Sequence, residues 1–174
     1  MVGKREVIRL DLFRAMSADT SSSNAANRGP FRPPLILLCS ILLGVSLQFA
    51  MQRRFAPASL ATPVGLVLVL ASIALFIAAV RSFRAAGTPV PGDQPTTMIV
   101  RRGPYRFSRN PIYLSFYGLQ LGIAFWTNNL WQLVALVATV LLIALVVVPR
   151  EERYLESRFP ATYLPYKAST RRWL

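Results

Sequence analysis

Four stretches free of charged residues alternate with basic, polar segments along the chain: Leu35 to Met51, Pro63 to Val80, Pro111 to Trp126 and Leu130 to Val148. At about 1.5 Å of rise per residue each approaches the roughly 30 Å hydrocarbon thickness of a bilayer. The pattern predicts an all-α, polytopic membrane protein with about four transmembrane helices and a carboxy-terminal cytoplasmic or interfacial helix. The third stretch is the shortest, and its length alone also suits a buried core helix. Only Thr127, Asn128 and Asn129 separate it from the fourth, which predicts a tight helical hairpin.

Between these runs the chain divides into a cytoplasmic tail over 1–33, the first two spans over 34–80, a polar loop over 81–110, the hairpin over 111–149 and a tail over 150–174. The stretch from Ser17 to Pro34 is rich in Ser, Ala, Asn and Pro and reads as a tether without fixed structure, preceded by a short amphipathic helix over Val7 to Met16. The opening residues lack the apolar core of a cleavable signal. There is no internal repeat, and Cys39, alone in an apolar run, is expected to be a packing residue.

Charge adds a direction. Six basic residues precede the first span (Lys4, Arg5, Arg9, Arg14, Arg28, Arg32), six lie between spans two and three (Arg81, Arg84, Arg101, Arg102, Arg106, Arg109), and six follow span four (Arg150, Arg153, Arg158, Lys167, Arg171, Arg172). Only Arg53 and Arg54 fall elsewhere. Because basic loops stay on the cytoplasmic side, both termini are expected in the cytoplasm, in the manner of a bacterial inner-membrane protein. The net charge of +13 then reflects flanks beside anionic membrane lipids, with no nucleic-acid partner implied.

The chain has no His and one Cys, which excludes a Ser-His-Asp triad, a Cys-His nucleophile, an ordinary zinc site and an internal disulfide. Two polar clusters remain for chemistry. The first runs from Ala85 to Tyr117, where Gly103-Pro104-Tyr105-Arg106 should turn and Arg109-Asn110-Pro111 should open helix three, Asn110 as N-cap and Pro111 at the first helical position. Capping alone would account for Asn110. Beyond it Tyr113, Tyr117 and Gln120 share one helix face, as interface anchors or as pocket lining, while Gly118 and Gly122 would let a neighbouring helix approach. The second cluster, Pro149 to Glu156, sets Glu151 and Glu152 at the membrane boundary in a chain with seven acidic residues. They either pair with neighbouring arginines or form part of a site.

The hairpin should bring these clusters together on the cytoplasmic side. Arginines, helix N–H groups, carboxylates and aromatic rings complement a ligand with a carboxylate, an ammonium, hydroxyls and a positive sulfur, so S-adenosylmethionine is permitted as a cofactor. Methyl transfer from a sulfonium needs mainly alignment, which a protein without histidine can supply. The physical reading permits this cofactor without selecting it.

The run from Gly103 to Leu114, the Glu151-Glu152 pair and the ending from Tyr163-Leu-Pro-Tyr166 to Arg171-Arg-Trp173 together resemble the isoprenylcysteine carboxyl methyltransferase family and its phospholipid methyltransferase relatives. The likeness covers about Arg81 to Trp173 and includes the Ala86-Gly87-Thr88-Pro89 loop of bacterial members. It implies an integral membrane methyltransferase that uses S-adenosylmethionine, held at the cytoplasmic side between the last two membrane helices and a carboxy-terminal helix. By position it implies a cofactor pocket of Gly103, Tyr105, Arg109, Asn110, Pro111, Tyr113, Glu151 and Glu152, with Glu152, Arg109 and Asn110 nearest the chemistry. Asn110 stands where the eukaryotic pattern has His; an amide cannot take up a proton at neutral pH, so this position is not expected to be a general base.

The acceptor expected from the buried helices is a lipophilic or small hydrophobic molecule: an amine-headed phospholipid, a carboxylate or a thiol. Two other readings of the same residues are a membrane reductase of sterol-reductase-like architecture using NADPH, which would need a larger pocket, and a non-catalytic scaffold with Arg and Glu paired at the interface. The sequence carries no signal for oligomeric state.

Overall fold

In a computed structural model, residues 32–90 and 96–174 are described. The expected amino-terminal tether and amphipathic helix lie outside the described residues. Five helices follow in order: α1 (Pro33–Ala50), α2 (Ala58–Ala85), α3 (Pro111–Trp126), α4 (Leu130–Arg158) and α5 (Pro160–Ser169). Among the described residues there is no strand, and Gly103–Arg106 forms one 3-10 turn.

Three of the helices, α1, α2 and α4, are long and apolar enough to cross a membrane. The expected third span, α3, forms at the expected bounds but has 16 residues, or about 24 Å, short of a full hydrocarbon thickness. Two spans are longer than the charge-free runs suggested. Helix α2 starts five residues before Pro63, which falls in its first turns. Helix α4 continues past Pro149 to Arg158 because Ile143–Val147 is a π-turn, in which the Val148 N–H reaches the Ile143 carbonyl. Pro149 thereby sits in the first turn of a new α-segment, where its missing N–H costs nothing. The Glu pair expected beyond the helix end is therefore on the helix.

Polarity is inverted relative to a water-soluble bundle. Leu38, Leu42, Val67, Leu70, Val137 and Leu141 face outward, while Gln120, Gln132 and Thr139 are fully enclosed. Ser40 of α1 ties the interior together: its hydroxyl accepts from Gln120 Nε2 at 2.6 Å and from Thr139 Oγ1 at 2.7 Å. Such bonds between helices take the place that hydrophobic burial holds in water, since lipid tails are as apolar as Leu. Cys39 lies on the outward side of α1 and does not pack in the core, because α1 uses Leu37, Ser40, Ile41 and Gly44 for its contacts.

The expected glycine face of α3 receives α2. A Cβ on Gly118 would stand 2.4 Å from Ser72 Oγ, and one on Gly122 would stand 2.8 Å from the Val69 nitrogen. The α3–α4 turn is as tight as the sequence predicts. Asn128 takes a positive φ of 48° and its Oδ1 accepts from the Phe55 and Ala56 nitrogens. Asn129 caps α4, accepting from Trp131 N and Gln132 N while its Nδ2 donates to the Gly44 carbonyl. The short connection makes α3 and α4 antiparallel neighbours, so the amino end of α3 meets the Val148–Arg158 segment.

Candidate functional site

The two polar clusters meet at that junction. Tyr113, in the first turn of α3, donates its hydroxyl to Glu151 Oε1 at 2.6 Å. Arg109, just before α3, places Nη2 3.2 Å from Glu152 Oε1, with the two side chains only 9% and 8% exposed. Arg172 of the carboxy-terminal segment grips the same carboxylate from the other side, Nη2 to Oε2 at 2.6 Å and Nε to Oε1 at 3.1 Å. Glu152 is thus a buried anion between two guanidiniums, and the doubled bond raises the Arg172 guanidinium further above its ordinary value.

Of the sequence-predicted site residues, Tyr105, Arg109, Asn110, Glu151 and Glu152 line one cavity. Gly103, Pro111 and Tyr113 stand behind it. Gly103 adopts a φ of 60° and lets the 3-10 turn pack on α2, since a Cβ there would come within 2.4 Å of Ser82 Oγ. Pro111 is buried as the first residue of α3, and Tyr113 acts on the cavity through Glu151. The stripe on α3 divides: Tyr113 serves the site, the Tyr117 ring lies 5.6 Å from Trp173, and Gln120 joins the interior network.

Asn110 occupies the N-cap position as expected, but its side chain makes no capping bond. Its Nδ2 donates instead to the Arg172 carbonyl at 3.0 Å. The capping explanation is therefore corrected: the backbone of α3 begins at Asn110 for the sake of Pro111, and the amide is spent on a distant segment.

Further walls come from Phe83, Val100, Tyr163 and Tyr166, whose role the sequence patterns did not mark. Phe83 of α2, Val100 and Tyr105 pack together, with the Phe83 and Tyr105 rings 5.1 Å apart, edge to face. From α5, Tyr163 and Tyr166 face the cavity, and Tyr166 donates its hydroxyl to the Tyr105 carbonyl at 2.8 Å. Their spacing of three in the tail was the available signal. Burial pushes the Tyr163 phenol up to about 12 and the Tyr105 and Tyr166 phenols higher still, so all three stay neutral donors at physiological pH and none is a base.

One observation points to a ligand. Arg109 Nε and Nη1 are buried without a hydrogen-bond partner, although its third nitrogen pairs with Glu152. Buried donors on a guanidinium are seldom left unmatched, and here they sit in a cavity wall. An anionic oxygen, such as one from a carboxylate, would match either free donor. The carboxylates of Glu151 and Glu152 and the tyrosine rings suit an ammonium, hydroxyls and a sulfonium. Among the described residues, no group of His, Cys, Asp and Glu could hold a metal ion.

The profile of the phospholipid methyltransferase family matches residues 60–162 of the chain. A 63-residue stretch is 36% identical to an uncharacterised protein of Haemophilus influenzae, covering 36% of this chain and the whole of that protein. No solved structure matches the chain.

Proposed function

From the premise that the chain belongs to the phospholipid methyltransferase family, a family of integral membrane methyltransferases, we propose that it moves a methyl group from S-adenosylmethionine to a membrane-soluble acceptor. The observation that carries this reading is the buried, half-matched guanidinium of Arg109 beside Glu151, Glu152 and the tyrosine rings.

In this reading one free donor of Arg109, Nε or Nη1, holds the cofactor carboxylate, and Glu152 fixes the arginine's orientation through Nη2. Glu151, held by the Tyr113 hydroxyl, faces the ammonium or a hydroxyl, and the tyrosine faces flank the sulfonium. When bound, the cofactor supplies an activated methyl whose departure returns the C–S electron pair to sulfur. The chain's part is alignment and exclusion of water, which Phe83, Val100 and Tyr105 serve by closing the α2 side. A carboxylate acceptor would lose no proton, whereas an amine or thiol would; in the latter case the cavity carboxylates are the available acceptors. The outward apolar faces of α1, α2 and α4 support an acceptor dissolved in the bilayer.

The test uses membranes containing the protein and methyl-labelled S-adenosylmethionine. Label is expected in the solvent-extractable fraction, and a Glu152→Gln protein should give less than roughly a tenth of it, the worth of one charged contact. Label confined to soluble proteins would overturn the acceptor class.

For orientation, the segregation of eighteen basic residues against Arg53 and Arg54 supports a site on the cytoplasmic side, with both termini there. A reporter fused after Leu174 should then be active only when it requires the cytoplasm. Activity confined to the opposite side would reverse the placement.

A further inference from the structure

The last five residues run back as a strap along Ser108–Asn110, beside the cavity that Arg109 and Asn110 line. Arg109 N donates to the Arg171 carbonyl at 3.0 Å, and Ser108 and Arg171 form an isolated parallel bridge. The Arg172 carbonyl receives two side-chain donors, Asn110 Nδ2 at 3.0 Å and Ser108 Oγ at 3.3 Å. On either side of that carbonyl, the Arg172 guanidinium reaches Glu152 and Trp173 packs against Tyr117 and the core around Leu37, Tyr113 and Phe116. The strap lies beyond the residues that the family profile matches.

We infer that Asn110 is a positioning residue that seats this strap, and through it sets Arg172 on Glu152 in the wall of the cofactor cavity. The side chain makes no capping bond to α3, and among the described residues its one hydrogen bond is to the strap. Arg172 is 41% exposed while Glu152 is 8% exposed. An arginine that far out in water holds a bidentate geometry only where its backbone is fixed, since an exposed ion pair alone scarcely offsets the entropy of the long side chain. The fixing bonds are those at residues 171 and 172. The inference rests on the cofactor reading for its consequence in binding, and on geometry alone for the seating itself.

Two measurements on the full chain in nanodiscs separate these. Hydrogen exchange of the Arg109 amide and of residues 170–174, without cofactor, should quicken roughly fivefold or more in Asn110→Ala, the worth of one net hydrogen bond. Asn110→His places a ring N–H near the position of Nδ2 and should return exchange to within about twofold of the unmodified protein. S-adenosylhomocysteine affinity should fall and recover in step. Unchanged exchange in Asn110→Ala, or failure of Asn110→His to restore it, would overturn the inference. If the unmodified protein binds no S-adenosylhomocysteine, the cofactor reading fails, and the exchange experiment still decides whether Asn110 seats the strap.

Discussion

Arg109→Ala is expected to lower the affinity for S-adenosylhomocysteine by about tenfold or more while leaving helical content unchanged. Two buried guanidinium nitrogens lack partners in the free protein, and one of them would gain a charge-assisted bond to the ligand carboxylate worth about 1.5–3 kcal/mol. Such a bond corresponds to roughly one to two powers of ten in the dissociation constant. The fold should tolerate the loss because Glu152 keeps both contacts from Arg172, so no buried carboxylate is abandoned. Arg109→Lys should recover little, since a point ammonium lacks the fixed, separate donor directions with which the guanidinium serves Glu152 and a ligand at once. Equilibrium dialysis with labelled ligand, beside circular dichroism, reads both quantities. Affinity within about threefold of the unmodified protein would remove Arg109 from the site.

A large loss of stability is expected from one methyl group in Gly65→Ala. A Cβ at this position would stand 2.1 Å from the Trp126 nitrogen and 2.5 Å from its Cα. Both are backbone atoms, so neither can swing aside and α2 must part from α3. Alanine is the better helix former by about 1 kcal/mol, but overpacking against a rigid neighbour costs roughly 1–3 kcal/mol or more, and here the displaced partner is a whole helix. The net expectation is a loss of about 2 kcal/mol, read as a lower midpoint of unfolding in a detergent titration. Gly87→Ala is the comparison. Its φ of 66° strains any side chain, yet nothing lies within 4 Å of a Cβ, so its cost should stay near 1 kcal/mol. An unaltered midpoint in Gly65→Ala would mean that α2 and α3 do not pack as described.

The helices were legible in the sequence because lipid demands long charge-free runs, and the α3 boundaries because Asn110-Pro111 and Thr127-Asn128-Asn129 are strong local signals. The extension of α4 was hidden by Pro149: only the π-turn, a tertiary accommodation of Ile143 and Val147 in the core, lets the helix pass. The meeting of Arg109 and Tyr113 with the Glu pair followed from the short hairpin, which fixes two helices as neighbours whatever their details. The cap assigned to Asn110 did not hold in its side chain, because a local rule cannot see a carbonyl 62 residues away. Ser108, Arg172, Tyr163 and Tyr166 were missed as site residues for the same reason: their importance lies in how the tail folds back. Cys39 faced outward because an apolar run in a membrane helix does not say which side is inside.

The central claim is that this cavity takes S-adenosylmethionine. Calorimetry of the purified full chain in nanodiscs tests it most directly, with S-adenosylhomocysteine and NADPH titrated separately. Saturable binding of one S-adenosylhomocysteine per chain, with no heat from NADPH, is the predicted result. No binding of S-adenosylhomocysteine, or selective binding of NADPH, would contradict it.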